Sequence, residues 1–161
     1  MGTRATCVRG ILGTAFAGCL SIGVAHAATC ASEREQLALQ TRVLQSDLMV
    51  AALSCQHKES YNTFVRRFTD QLVAHGRELR GYFQRVYGSR GERQLNQFVT
   101  RLANDSSQRS LADAGIYCAE TDQLFQQVLG LGPRELAGYV RARPASHRTG
   151  IQACTLQASN R

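Results

Sequence analysis

Apolar residues recur at helical spacing along most of the chain. Leu37, Thr41, Leu44, Leu48, Ala51 and Cys55 are spaced 4, 3, 4, 3, 4, and Tyr61, Val65, Phe68, Leu72, His75, Leu79, Tyr82 and Val86 keep the same alternation. Such a period puts each set on one face of a helix. A third helix is expected over residues 90–112, with Leu95, Phe98, Val99, Leu102 and Ser106 inward. A fourth follows, carrying Tyr117, Cys118, Thr121, Leu124, Phe125, Val128 and Leu129 on one face. Ser32-Glu33-Arg34-Glu35 and Ser89-Arg90-Gly91-Glu92 both fit the capping box that starts helices. Gly88 and Gly130 suit helix ends, and Gly115 is expected to break or bend the chain between the third and fourth helices. Pro133 suits the first position of a short fifth helix packed through Leu136, Tyr139 and Val140. After Ala142 no period remains. The pattern predicts an all-α, up-down four-helix-like bundle with a short fifth helix over residues 28–141, followed by a coil tail over 142–161.

The first 27 residues do not belong to that bundle. Arg4 and Arg9 precede an apolar run of about 15 residues, and Ala25-His26-Ala27 supplies small residues at its exit. This is the layout of a secretory signal peptide, with cleavage expected after Ala27. The run falls short of the roughly 20 residues of a membrane span, and no other segment approaches that length. A lipoprotein signal with Cys19 as the modified residue is the alternative. It would strand an apolar segment in the mature protein, so cleavage at Ala27 is preferred and the mature chain is expected in the periplasm.

Export sets the chemistry of the cysteines. Cys7 and Cys19 leave with the leader, and Cys30, Cys55, Cys118 and Cys154 remain. Four cysteines in an exported domain argue for two disulfides, with three connectivities open. Cys30 and Cys55 flank a helix of about 22 residues and so lie about 33 Å apart, far beyond the roughly 7 Å between Cα atoms that a disulfide spans. In an up-down bundle Cys55 and Cys118 share one end, while the tail returns to the end where Cys30 lies. The pairing expected is Cys55–Cys118 and Cys30–Cys154.

That pairing also answers the motif Cys55-Gln56-His57, which otherwise reads as half a metal site. Zinc sites draw on close ligand pairs, and here the cysteines are isolated and no two histidines are neighbours. The Glu-x-x-His pairs of di-iron bundles and the C-x-x-C-H of attached haem are missing, and Met49 is the one methionine after cleavage. No metal or cofactor is therefore expected. There is no G-x-S-x-G, and disulfide-bonded cysteines are no thiolates. Asp47 and Asp105, the acids nearest a packed face, read as partners of arginines at neighbouring helical positions. The sequence points away from an enzyme. Asn104-Asp105-Ser106 matches a glycosylation sequon but falls inside a predicted helix. His75 stands out because it occupies an inward position of the second helix, where an imidazole packs, binds a ligand or responds to pH.

Charge changes the picture last. After cleavage 17 basic and 12 acidic residues remain, a net charge of +5, and all the basic residues but Lys58 are arginine. Residues 58–109 hold ten basic and five acidic residues, and Arg66, Arg77 and Arg80 can share an outward face of the second helix. The plain reading of that face is a solvated surface with pairs such as Arg66–Asp70. The functional one is a docking surface for an anionic envelope component. No nucleic-acid module accompanies it, so nucleic acid is not expected as a partner.

The segments "LQSDLMVAALSC", "YNTFVRRF", "HGRELRGYF", "LNQFVTRLAN" and "YCAETDQLFQQVL" together resemble a family of small exported proteobacterial proteins of unknown function. The resemblance spans residues 32–131. It implies a helical exported protein and transfers no activity. Two functional readings stand: a non-catalytic periplasmic module that binds another protein or an anionic envelope component, and a small-ligand or metal-binding bundle that uses His75. Partner identity and oligomeric state are not legible.

Overall fold

A computed structural model describes residues 29–154. The expected leader, Cys7 and Cys19 with it, and the chain beyond Cys154 lie outside the described residues. Ser32 starts the first helix as its capping box requires. Its hydroxyl accepts from the Glu35 amide at 3.4 Å, and the Glu35 carboxylate accepts from the Ser32 amide at 2.8 Å. Helix α1 then runs Glu33–Ser54, followed by α2 Lys58–Arg67, α3 Thr69–Tyr87, α4 Gly91–Ala112, α5 Ala114–Leu129, α6 Leu136–Ala142 and the single turn α7 Ser146–Thr149. The all-α bundle is thus the observed architecture. An isolated parallel bridge between Ala31 and Ala153 is the one piece of β pairing among the described residues.

α1 is the hub. Twelve of its 22 residues are buried, and they include Leu37, Leu39, Val43, Leu48 and Val50, which point in different directions around the axis. A helix apolar on all sides belongs in the interior, and α1 packs against each of the other six α-helices. It divides the core in two. On one side Leu44 and Leu48 meet Phe64, Phe68, Tyr117 and Phe125. On the other Leu39 and Val43 meet Leu79, Phe83, Phe98 and Leu102.

Five local expectations are corrected. The tail expected as coil after Ala142 carries the helical turn α7, Ser146–Thr149. The long second helix is broken at Phe68, which ends α2 and precedes α3. The Thr69 hydroxyl donates to the Val65 carbonyl at 2.7 Å, a back-bond of the kind that bends helices. Ser89 is no N-cap; it lies in a 3-10 turn, Gly88–Arg90, that leads straight into α4. The turn is tight because a side chain on Gly91 would meet the Gln84 backbone at 2.9 Å. Gly115 lies within α5, and the break is made by Asp113, whose carboxylate accepts from the Ile116 amide at 2.9 Å. Pro133 precedes α6 rather than starting it. There the Glu135 carboxylate accepts from the Gly132 amide at 2.7 Å and closes a turn ahead of Leu136.

Both expected disulfides are present, Cys55–Cys118 with Cα atoms 5.6 Å apart and Cys30–Cys154 at 4.9 Å. They suggest an oxidising, non-cytoplasmic compartment. No helix among the described residues is long and apolar enough to cross a membrane.

Candidate functional site

The arginines of this protein are treated in two ways by the fold, and one of them leaves a groove. On α1, Ala38, Thr41, Arg42 and Gln45 recur at three- and four-residue spacing and form one strip. Opposite it, the bend at Phe68 carries α2 and α3 past this strip. Between them lies a groove of about 460 Å³, to whose lining α4 contributes Leu95. Its apolar wall includes Val65, Leu72, Val73 and Leu79. Its polar groups include Arg42, His75, Arg77 and Arg80, and no aspartate or glutamate lines it.

Arg42 is the most constrained of these. Its Nη1 donates to Gln45 Oε1 at 2.9 Å, while Nε is sealed from solvent with no hydrogen-bond partner. No carboxylate pairs with Arg42 among the described residues. Burial pushes its guanidinium below the ordinary value, with Tyr61 opposing, yet an arginine remains a cation at neutral pH. His75 is partly buried on the α3 wall. Burial lowers the imidazole below its usual pKa of 6.5, with Glu78 opposing and Arg141 adding to the shift. Arg77 stands at the exposed rim without an ion-pair partner among the described residues, and Arg80 reaches Glu92 at 3.4 Å.

Three of the four candidates from the second helix therefore meet at this groove: His75, Arg77 and Arg80. Arg66 does not. It donates to Thr63 Oγ1 at 3.2 Å, in place of the pair with Asp70 expected from its spacing. The Cys55-x-His57 motif is taken apart by the fold: Cys55 is bonded to Cys118, and His57 Nε2 lies 2.7 Å from Asp122 Oδ1 with its ring against Phe125.

Arg148 and Arg109, by contrast, are engaged by carboxylates. Arg148 of α7 places Nη1 2.6 Å from Asp47 Oδ2 and Nη2 2.7 Å from Asp105 Oδ2. Arg109 adds a bond to Asp47 at 2.7 Å. Asp105 does pair with Arg109 one turn on, at 3.8 Å, but Asp47 reaches across to α4 and to the tail rather than along its own helix. Burial alone would lower the Arg148 pKa; Asp47 and Asp105 outweigh it and hold the guanidinium above its ordinary value.

Arg42 and Arg148 are the residues that periodicity passed over. Arg42 had one legible signal. α1 is apolar on several faces at once, so a lone arginine in its middle had to be inside the structure. Arg148 had none, because its partners come from distant segments. Compared with family models, with curated proteins and with solved structures, the chain finds no match, so the groove is read from its own residues.

Proposed function

We propose that the protein is a non-catalytic, exported, periplasmic module that binds an anionic component of the cell envelope in the groove between α1 and α2–α3. The observation that carries this reading is the charge of the lining: Arg42, Arg77 and Arg80 with no carboxylate among the lining residues. Arg42 keeps an unpartnered Nε while Arg77 and Arg80 stand at the exposed rim, and such a local surplus of positive charge favours an anion. The leader-like N-terminus and the resemblance to small exported proteins support the location. His75 joins the site as a lining group, which folds the small-ligand reading into this one without a metal.

Native mass spectrometry of protein taken from its own exported fraction tests the proposal. An anionic adduct is expected, lost on exchange into high salt and in an Arg42→Met/Arg77→Ala variant. Protein that carries no adduct, and that takes up no anionic ligand even at low ionic strength, would refute it.

Binding of another protein has an observation of its own. Leu53, Leu111 and Ile116, 68%, 85% and 60% exposed, occur where α1 ends, α4 ends and α5 begins, at the disulfide-linked end of the bundle. A Leu111→Ser/Ile116→Ser variant that keeps every partner recovered with the parent protein would exclude that surface.

A further inference from the structure

We propose that the ligand of this groove is a single-chain aliphatic carboxylate, held as a monomer with its head on Arg42 and its chain along the apolar wall. The inference rests on the anion-binding reading above and narrows it to one chemical class.

The head group follows from what Arg42 has left to give. Its Nη1 is committed to Gln45, whereas Nε has no acceptor and Nη2 makes no hydrogen bond among the described residues. Nε and Nη2 form the side-on edge of the guanidinium, two parallel N–H groups whose spacing matches the two oxygens of a carboxylate. Nε is sealed from solvent here, so the proposal requires the Arg42 side chain to swing into the groove for that edge to meet the ligand. The Gln45 amide nitrogen, also without an acceptor among the described residues, lies beside it as a third donor. One half-buried cation balances one charge. A phosphate monoester would bring two, and the other arginines, Arg77 and Arg80, stand at the exposed rim, Arg80 already beside Glu92.

The chain follows from the wall. Val65, Leu72, Val73 and Leu79 line the groove, and Val73 is left 50% exposed beside the cations. A small hydrophilic anion would satisfy Arg42 and leave this apolar surface wet. An aliphatic chain covers it, and covering it is favourable in proportion to the area removed from water. The volume of about 460 Å³ lies within the range of small-molecule sites.

Gly76 is among the residues that line the groove. It sits mid-helix in α3, where glycine weakens a helix, and a Cβ built on it meets nothing within 4 Å. Neither packing nor backbone conformation demands glycine there. A larger side chain at this position would stand in the space that the groove occupies.

Isothermal titration of the full disulfide-bonded protein with decanoate, 1-decanol, acetate and inorganic phosphate tests the assignment. Decanoate is expected to bind one-to-one, at least about tenfold tighter than each of the others, since a charge-assisted hydrogen bond and an apolar wall each contribute a factor of this order. Arg42→Met should weaken decanoate at least about tenfold. Gly76→Leu should abolish its binding by filling the groove while leaving the melting temperature unchanged or raised, so one variant remains informative if the other fails to fold. Acetate or phosphate binding as tightly as decanoate would leave an anion site and overturn the chain. Decanol binding as tightly as decanoate, or either variant binding like the parent, would overturn the placement of head or chain. Failure of all four probes would remove both the inference and the anion-binding reading.

Discussion

Arg42 and Asp47 lie five residues apart on α1, about 140° around its axis, and they head two opposite arrangements of charge. Asp47 sits with Arg109, Arg148 and Asp105 in a junction where each guanidinium meets a carboxylate. Arg42 faces a groove that offers cations and no carboxylate. The same residue type thus holds the fold together on one side of the hub helix and stands uncompensated on the other. Paired charge at low exposure stiffens structure, because breaking it strands its partner. Unpaired charge at low exposure marks a place where the fold tolerates a cost, and a bound anion removes that cost.

The largest effect should come from cutting the tail loose. Replacing Cys30 and Cys154 with serine opens a staple whose ends are separated by 124 residues, and should cost about 5 kcal/mol on the chain-entropy account. Urea unfolding measures it. The loss should fall on the junction, since Arg148 is carried by the tail, and decanoate affinity should stay within about twofold because the groove is a separate site. A loss of groove binding equal to that of stability would show that the two regions are one.

Next in size is the junction itself. Asp47 and Arg148 side chains are 14% and 15% exposed, so removing Asp47 leaves buried Arg148 with Asp105 as its remaining carboxylate, and removing Arg148 leaves buried Asp47 with Arg109 and Ser106. Asp47→Ala should destabilise by about 3 kcal/mol. Arg148→Met should cost a similar amount, since Arg109 satisfies only part of the two carboxylates.

Arg148 also marks the limit of what the sequence discloses. Leu37, Leu44 and Leu48 announced α1 by their spacing, and Cys55 and Cys118 announced their pairing by the direction of the helices between them. Those are local periods and a count of turns. The Ser89 box failed because the backbone at Gly91 approaches Gln84 too closely for the chain to leave the helix there, a fact of tertiary contact. The Asp47–Arg148 bond joins positions 101 residues apart, and no period connects them. The groove lay between these limits. His75, Arg77 and Arg80 were conspicuous on one helix, while Arg42, which lines the same groove, belongs to another and became visible only once α1 proved to be central.

Arg42→Met sharpens the comparison, because the same change made at Arg148 should have the opposite sign. Methionine keeps most of the packing of the arginine stem and deletes an N–H sealed away from any acceptor. An unsatisfied buried donor costs about 1–3 kcal/mol, and the charged end of Arg42 retains some solvent, so a gain of about 1 kcal/mol is expected. Thermal unfolding of the two variants side by side decides the point. If Arg42→Met destabilises as Arg148→Met does, the guanidinium is compensated in solution and the two regions do not differ.

The smallest effect is a dependence on pH at the groove wall. Burial depresses the His75 pKa below 6.5 in the folded protein, against Glu78 and together with Arg141. The unfolded chain therefore binds a proton more readily than the folded one across the interval between the two values. Stability from this group is fully present above about pH 6.5 and is lost as pH falls through the unfolded value toward the lower folded one. His75→Phe removes the proton and with it this slope. Denaturant titrations of parent and variant from pH 8 to 5 should diverge only on the acid side, the parent losing stability relative to the variant. His57 and His147 are common to both proteins and cancel in the difference. Curves that stay parallel over the whole interval would mean that His75 is as well solvated folded as unfolded. The groove would then be wetter than its apolar wall requires, and the case for an aliphatic chain within it would weaken with it.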